Sequence, residues 1–252
     1  MTVINDILNF FETFAPTDMA MDFDNVGLLV GDKNTAVTKA LVALDITSQT
    51  VQEAKEIGCQ LIISHHPVIF NPVKKLSPCD PVYQLAKNSI SALCMHTNLD
   101  LAQKFGVNTC LAKALGVINP VKSNLGECMF IGNLEAEVPM EEFAKRAKAA
   151  LDCRGLRYTD VKPDVKTVAV SSGAGGSDVF AAAGENVDVF VTGEIKHHEI
   201  MAANEMGINI VEAGHFKSED VVINPLVNLL SEKFNDIIFT KSQTCDDKVK
   251  FI

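Results

Sequence analysis

Apolar residues recur along the chain in helical and strand rhythms that alternate. Val3, Ile4, Ile7, Leu8 and Phe11 fall at helical spacing, and Pro16 sets the latest stop for that helix. FDNVGLLVG (23–31) reads as a turn and a short strand, and KALVALD (39–45) as a buried strand. SQTVQEAKEIG (48–58) predicts a helix with Ser48 as N-cap and Gly58 at its end. The strand QLIISHH (60–66) follows, then a helix over 81–89, a strand over 91–97 and a helix over 106–116.

The composition loosens at 117–127, which carries Asn119, Pro120, Ser123, Asn124 and Gly126 and places a boundary between halves 1–125 and 126–252. The rhythm then resumes. CMFIGNLEAEV (128–138) is one strand or a hairpin arm, and PMEEFAKRAKAAL (139–151) is a helix with proline at its start. KTVAVSSGAGGSDVF (166–180) is a strand, a glycine-rich turn and a helix start. A strand over 187–194, a helix over 196–207, a strand over 208–215, a mainly helical 218–234 and a strand over 235–240 complete the chain. The expected fold is α/β in two parts, with mixed, largely parallel sheets flanked by helices and an antiparallel region within 128–160.

Composition narrows the function. At 252 residues and 47% hydrophobic content, the chain can bury one large core or two fused ones. A net charge of −10 argues against binding nucleic acid by neutralising phosphates. The basic clusters are Lys74-Lys75 and Lys145-Arg146-Lys148, and the second reads as a solvated helix face behind Glu141 and Glu142. Seven cysteines without a C-x-x-C spacing suit reduced thiols and a cytoplasmic location. The start MTVINDILNFFETF carries Asp6 and Glu12 and is not expected to be a signal peptide. No run approaches the roughly 20 apolar residues of a membrane span.

In open α/β sheets, sites gather beyond the carboxyl ends of strands. Four such exits carry chemistry here: His65 and His66, then His96 and Asp100, then Glu194, then His215 and Glu219. Each has an ordinary reading alone, as a packed histidine, a turn cap or a solvated carboxylate. An adjacent pair on a strand points to opposite faces, but at a strand end before Pro67 the two imidazoles could each serve a different ion. His215 and Glu219 would stack on one side of a helical turn beginning near residue 216. Together these imidazoles and carboxylates, without thiolates, suit Zn, Fe, Mn, Co or Ni and leave positions open for water. His96 could instead support a ligand, and Glu194 could move protons near the metals. The GAGGS turn (173–177) offers a weak phosphate signal, and His197 and His198 at a helix start could face the site or solvent.

The stretches DNVGLLVGD (24–32), LIISHHPVIF (61–70), HTNLD (96–100), TGEIKHHE (192–199) and AGHFKSE (213–219) together resemble the Nif-three-like family, whose members are often labelled GTP cyclohydrolase I type 2 homologs. The resemblance covers nearly the whole chain. It implies a two-part α/β fold, a dinuclear metal centre and a ring-shaped homo-oligomer, typically a hexamer. By motif match it implies metal ligands at His65, His66, Asp100, His215 and Glu219, and a short form that lacks the domain some members insert near 117–127. The cyclohydrolase label implies hydrolysis at C8 of guanine with loss of formate, Glu194 or His96 moving protons.

Two classes of function follow. One is a metal-dependent hydrolase acting on a small anionic, nucleotide-like or related heterocyclic substrate. The other is a metal-handling or scaffold ring without turnover. Phosphoester or nucleic-acid end cleavage by two metals is a third, which the acidic balance disfavours. Glu194 discriminates, because a pure carrier has no evident need of a carboxylate beside its metal ligands.

Overall fold

The computed structural model describes residues 1–252. Its strands are β1 (Gly27–Val30), β2 (Lys39–Ala43), β3 (Leu61–Ser64), β4 (Ser91–Cys94), β5 (Ile118–Lys122), β6 (Phe130–Pro139), β7 (Arg157–Tyr158), β8 (Asp164–Ser171), β9 (Val189–Thr192), β10 (Asn209–Glu212) and β11 (Ile238–Lys241). They form two sheets, in two compact units. One unit is Met1–Leu101 with Ile223–Asp246, and the other is Ala102–Val222 with Asp247–Ile252. The division at 125/126 drawn from composition does not coincide with these units. The chain leaves the first unit after Leu101 and returns to it with a helix and β11, a crossing that local composition does not record.

The first unit holds a five-stranded sheet in the order β1-β4-β3-β2-β11. Only β1 runs antiparallel; the other three pairings are parallel. Leu41, Ile62, Val51, Leu85 and Ile90 form an apolar cluster between this sheet and its helices Ser48–Glu56 and Pro81–Lys87. The first of these helices is capped by Thr47, whose hydroxyl accepts from the Thr50 N–H at 3.2 Å. Ser48, the expected cap, is instead the first helical residue and donates to Cys79 O at 2.8 Å.

The second unit holds six strands in the order β5-β6-β8-β9-β10-β7. β8, β9 and β10 are parallel, while β6 pairs antiparallel with both β5 and β8, as the 128–160 region was expected to do. Alternation along the strands divides the core into two layers. Val168, Val170, Val189, Val191 and Val211 face one side, against Phe143, Ala144 and Ala147 of the helix Met140–Ala150. Ala169, Phe190 and Ile210 face the other, against Val179, Ala182 and Ala203. The expected helix over 218–234 is split into the end of a short helix His215–Glu219, a 3-10 turn Asp220–Val222 and a helix Ile223–Lys233. Pro225 explains the break: it has no N–H for the carbonyl of Val221 and is tolerated only in a first turn.

Glu53 ties the segment after β11 to its own helix. Its carboxylate accepts from Ser242 Oγ at 2.6 Å, the Gln243 N–H at 2.8 Å and Thr244 Oγ1 at 2.7 Å. Burial raises its pKa, but these bonds outweigh burial and hold it below the ordinary glutamate value. A depressed folded pKa contributes stability above the unfolded value and loses it as pH falls through the folded one. Glu53→Gln is therefore expected to destabilise the fold at neutral pH, by about 1 kcal/mol once solvent screening is allowed for. The difference should shrink towards zero in acid, as measured by urea unfolding across the pH range.

Candidate metal centre

The first unit delivers its polar residues by register. β2, β3 and β4 end side by side, with Ala43 opposite Ser64 and Ser64 opposite Cys94. Two residues beyond those ends stand Asp45, His66 and His96. Backbone pairing continues past the strands, from His66 N–H to Leu44 O and from Met95 N–H to Ser64 O, both at 2.9 Å. The rings of His65, His66 and His96 consequently gather, with centroids 5.0, 5.1 and 5.6 Å apart. Their ligand atoms all lie within 4.8 Å of one another.

Each ring is held through Nδ1. His65 Nδ1 lies 2.9 Å from Met95 O. A carbonyl can only accept, so Nδ1 carries the proton and Nε2 of the neutral ring keeps its lone pair. That Nε2 is 3.5 Å from Asp100 Oδ1, and both side chains are buried. His66 Nδ1 lies 2.8 Å from Asp45 Oδ1, and His96 Nδ1 lies 2.9 Å from Asp24 Oδ1. Asp24 also accepts from the Thr97 N–H at 3.0 Å and Thr97 Oγ1 at 2.5 Å. Burial pushes its pKa up, yet the bonds from His96 and Thr97 win and hold the carboxyl well below the usual range. Asp24 is thus an anion that keeps the His96 proton on Nδ1.

The second unit repeats the device. β8, β9 and β10 end together at Ser171, Thr192 and Glu212. Glu194 follows β9, and His215 opens the helix His215–Glu219 just after β10, one residue earlier than expected. Gly214, at φ 86°, lets the chain turn between the two. His215 Nδ1 lies 3.0 Å from Glu194 Oε1, and its Nε2 lies 3.2 Å from Glu219 Oε2, one helical turn on. Glu219 is buried, whereas the Glu194 side chain is 60% exposed.

The glycine turn packs against this pair. Gly173 has φ 57°, and a Cβ there would collide with the Glu219 carboxylate and lie 3.2 Å from His215 Nε2. The Gly173 N–H donates to Ser218 Oγ at 3.0 Å, and Ser218 Oγ donates to His215 O at 2.8 Å. The Ser172 N–H donates to Asn108 Oδ1 at 2.8 Å. The first amide of the turn and the one just before it are therefore bonded to side-chain oxygens, with the Glu219 carboxylate alongside. This is a poor cradle for phosphate, and the turn serves packing. His197 and His198 are exposed at the start of the helix His197–Glu205.

These donors fit a divalent transition metal. Imidazole Nε2 lone pairs face carboxylate oxygens, and each imidazole is backed by an acceptor that fixes its tautomer and raises its basicity. Cys94 is the nearby thiol, and it donates to His65 O at 3.0 Å. Burial and then the charge of Asp24 push its pKa up, so it supplies no thiolate. Sequence reasoning missed Asp45 and Asp24. Asp45 ends KALVALD and is itself a carboxylate at a strand exit, so the same rule would have found it. Asp24 lies in a turn 72 residues from the histidine it holds and gave no local signal.

Comparisons with known proteins agree with this architecture. The family described as Duf34/NIF3 (NGG1p interacting factor 3) matches residues 2–246. A GTP cyclohydrolase 1 type 2 homolog of Clostridium perfringens is 35% identical over 263 residues, covering 99% of each chain. The crystal structure of a hypothetical protein from Staphylococcus aureus superposes with a TM-score of 0.92 at 29% identity, again over 99% of each chain. Reduced HcgD from Methanocaldococcus jannaschii gives 0.82 at 28% identity, over 96% of this chain and 98% of its own.

The packing of Gly173 on Glu219 can be measured against a glycine of similar backbone. Gly207 has φ 72°, and a Cβ there would meet nothing within 4 Å. Gly207→Ala should cost about 1 kcal/mol, the backbone penalty alone. Gly173→Ala should cost at least about 1 kcal/mol more, because the Glu219 carboxylate must move. Denaturant unfolding of the two variants checks the difference.

Proposed function

Because the chain belongs to the Duf34/NIF3 family, we propose that His65, His66, Asp100, His215 and Glu219 act as one ligand set for two divalent cations, in a metal-dependent hydrolase of nucleotides or related heterocycles. The observation that carries the reading is the common state of the histidines. His65, His66 and His215 each have Nδ1 bonded to a carbonyl or carboxylate, which leaves Nε2 to ligate. The carboxylates of Asp100 and Glu219 lie beside two of those Nε2 atoms.

When bound, divalent cations would lower the pKa of water and polarise a substrate. Three neutral imidazoles and two carboxylates only partly offset the positive charge of two divalent ions. The centre would therefore attract a small anion within an acidic protein. His65, His66 and His215 are held in the ligating tautomer by Met95 O, Asp45 and Glu194. Glu194 has a second task in this reading. With Oε1 on His215 and its side chain open to solvent, it takes and returns a proton at Oε2. His96, whose Nδ1 proton is fixed by Asp24, exchanges protons at Nε2.

A soluble, cytoplasmic homo-oligomer, a hexameric ring as the family resemblance implies, completes the proposal. Seven free cysteines suit a reducing compartment, and no helix is long and apolar enough to cross a membrane.

Metal analysis of freshly purified protein should find close to two ions per chain, and Asp100→Ala or Glu219→Ala should lose at least one of them. Hydrolysis in a screen of nucleotides and pterin precursors should vanish in chelator and return with metal. Glu194→Gln keeps an oxygen acceptor for His215 but loses basicity. It should retain metal and lose roughly 10²–10⁴ in rate. Full-rate turnover in Glu194→Gln would remove its proton-transfer role. Metal uptake without any turnover would favour a metal-handling protein instead.

A further inference from the structure

Two phenyl rings stand open to solvent beside the histidine cluster of the first unit. Phe23 is 61% exposed and Phe70 is 47% exposed. Exposed aromatics scattered singly are ordinary, but these two touch, with centroids 6.3 Å apart and planes tilted by 52°. Phe70 also meets His96 edge to face, at 6.4 Å and 83°. The pair is therefore continuous with a metal-capable group.

Both rings are placed by the same residues that place the cluster. Phe23 precedes Asp24, which is bonded to His96 and Thr97. Phe70 follows the His65-His66-Pro67 turn, and Asn25 Nδ2 donates to Ile69 O at 2.6 Å, pinning the two loops together. The rings are thus held at the surface, where each stays partly exposed.

The charge pattern indicates what would cover them. All three arginines of the chain lie between residues 146 and 157, so the first unit offers no guanidinium fork for a phosphate. Its loop after Phe70 carries only Lys74 and Lys75, both exposed. A ligand of this cluster finds aromatic surface first and charge second. Resting on the function proposed above, we infer that Phe23 and Phe70 form the shelf on which a planar heterocyclic ring of the substrate stacks, and so set specificity for ring-bearing over ring-free ligands. They are specificity residues, not ligands of the metals.

The test uses the full chain loaded with Zn²⁺ and two probes that share a sugar phosphate, GMP and ribose 5-phosphate, titrated by calorimetry. Base–aromatic stacking predicts roughly tenfold tighter binding of GMP. Phe70→Leu, which keeps apolar bulk, should lose most of that preference. Phe70→Tyr should keep it, Phe23→Leu should reduce it, and ribose 5-phosphate should bind all variants alike. Zinc content and sedimentation of each variant should match the parent. The inference is overturned if zinc-loaded protein binds GMP no better than ribose 5-phosphate. It is equally overturned if the preference survives in the Phe23→Leu/Phe70→Leu double variant, or if either leucine changes the oligomeric state, since the shelf would then be a subunit contact. Failure to take up zinc at all would sink the proposed function itself, a different result from any of these.

Discussion

The hydrogen bond at Nδ1 of each clustered histidine is the constraint on which the site depends. An imidazole has two nitrogens and one proton when neutral, so fixing the proton at one nitrogen decides what the other can do. Met95 O, Asp45, Asp24 and Glu194 each take that proton's hydrogen bond, for His65, His66, His96 and His215 respectively. In a neutral ring so held, Nε2 is the nitrogen that can ligate, and those of His65 and His215 lie 3.5 and 3.2 Å from the carboxylates of Asp100 and Glu219. For His65, His66 and His215 this tautomer is the one that a proposed divalent cation would require at Nε2.

Parallel strands make this arrangement cheap to build. Neighbours that end in register present their following residues at the same edge, so a histidine after one strand meets an acceptor after the next. Asp45 and His66 follow β2 and β3 in this way, and Glu194 and His215 follow β9 and β10. The helix Thr97–Asp100 adds Asp100 to one group, and the helix His215–Glu219 adds Glu219 to the other, each within a single turn. Gly173 and Gly214 supply the backbone freedom that the second group needs.

Much of this was legible from the sequence because it is written in short periods. The alternations in KTVAVSS and VDVFVTGE became the two-sided core of the second sheet, with Val168 and Val170 on one face and Ala169 on the other. Strand exits pointed to His65, His66, His96, Glu194 and His215 because each closes an apolar run. What could not be read were relations across long separations. Asp24 and His96 are far apart along the chain, and the return of 223–246 to the first unit leaves no mark in composition. Ser48 is the expected cap because serine is favoured over threonine there, and only backbone geometry chooses Thr47. Phe23 and Phe70 carry no sequence signal, because exposure is a property of the fold.

The most direct measurement is ¹⁵N NMR of the histidine side chains before and after addition of zinc, since the chain has only six. The account predicts that His65, His66, His96 and His215 carry the proton on Nδ1 before zinc is added. The Nε2 signals of His65, His66 and His215 should then move to metal-bound positions, while the exposed His197 and His198 are unchanged. Protons found on Nε2 in the clustered rings, or zinc shifts confined to His197 and His198, would contradict it.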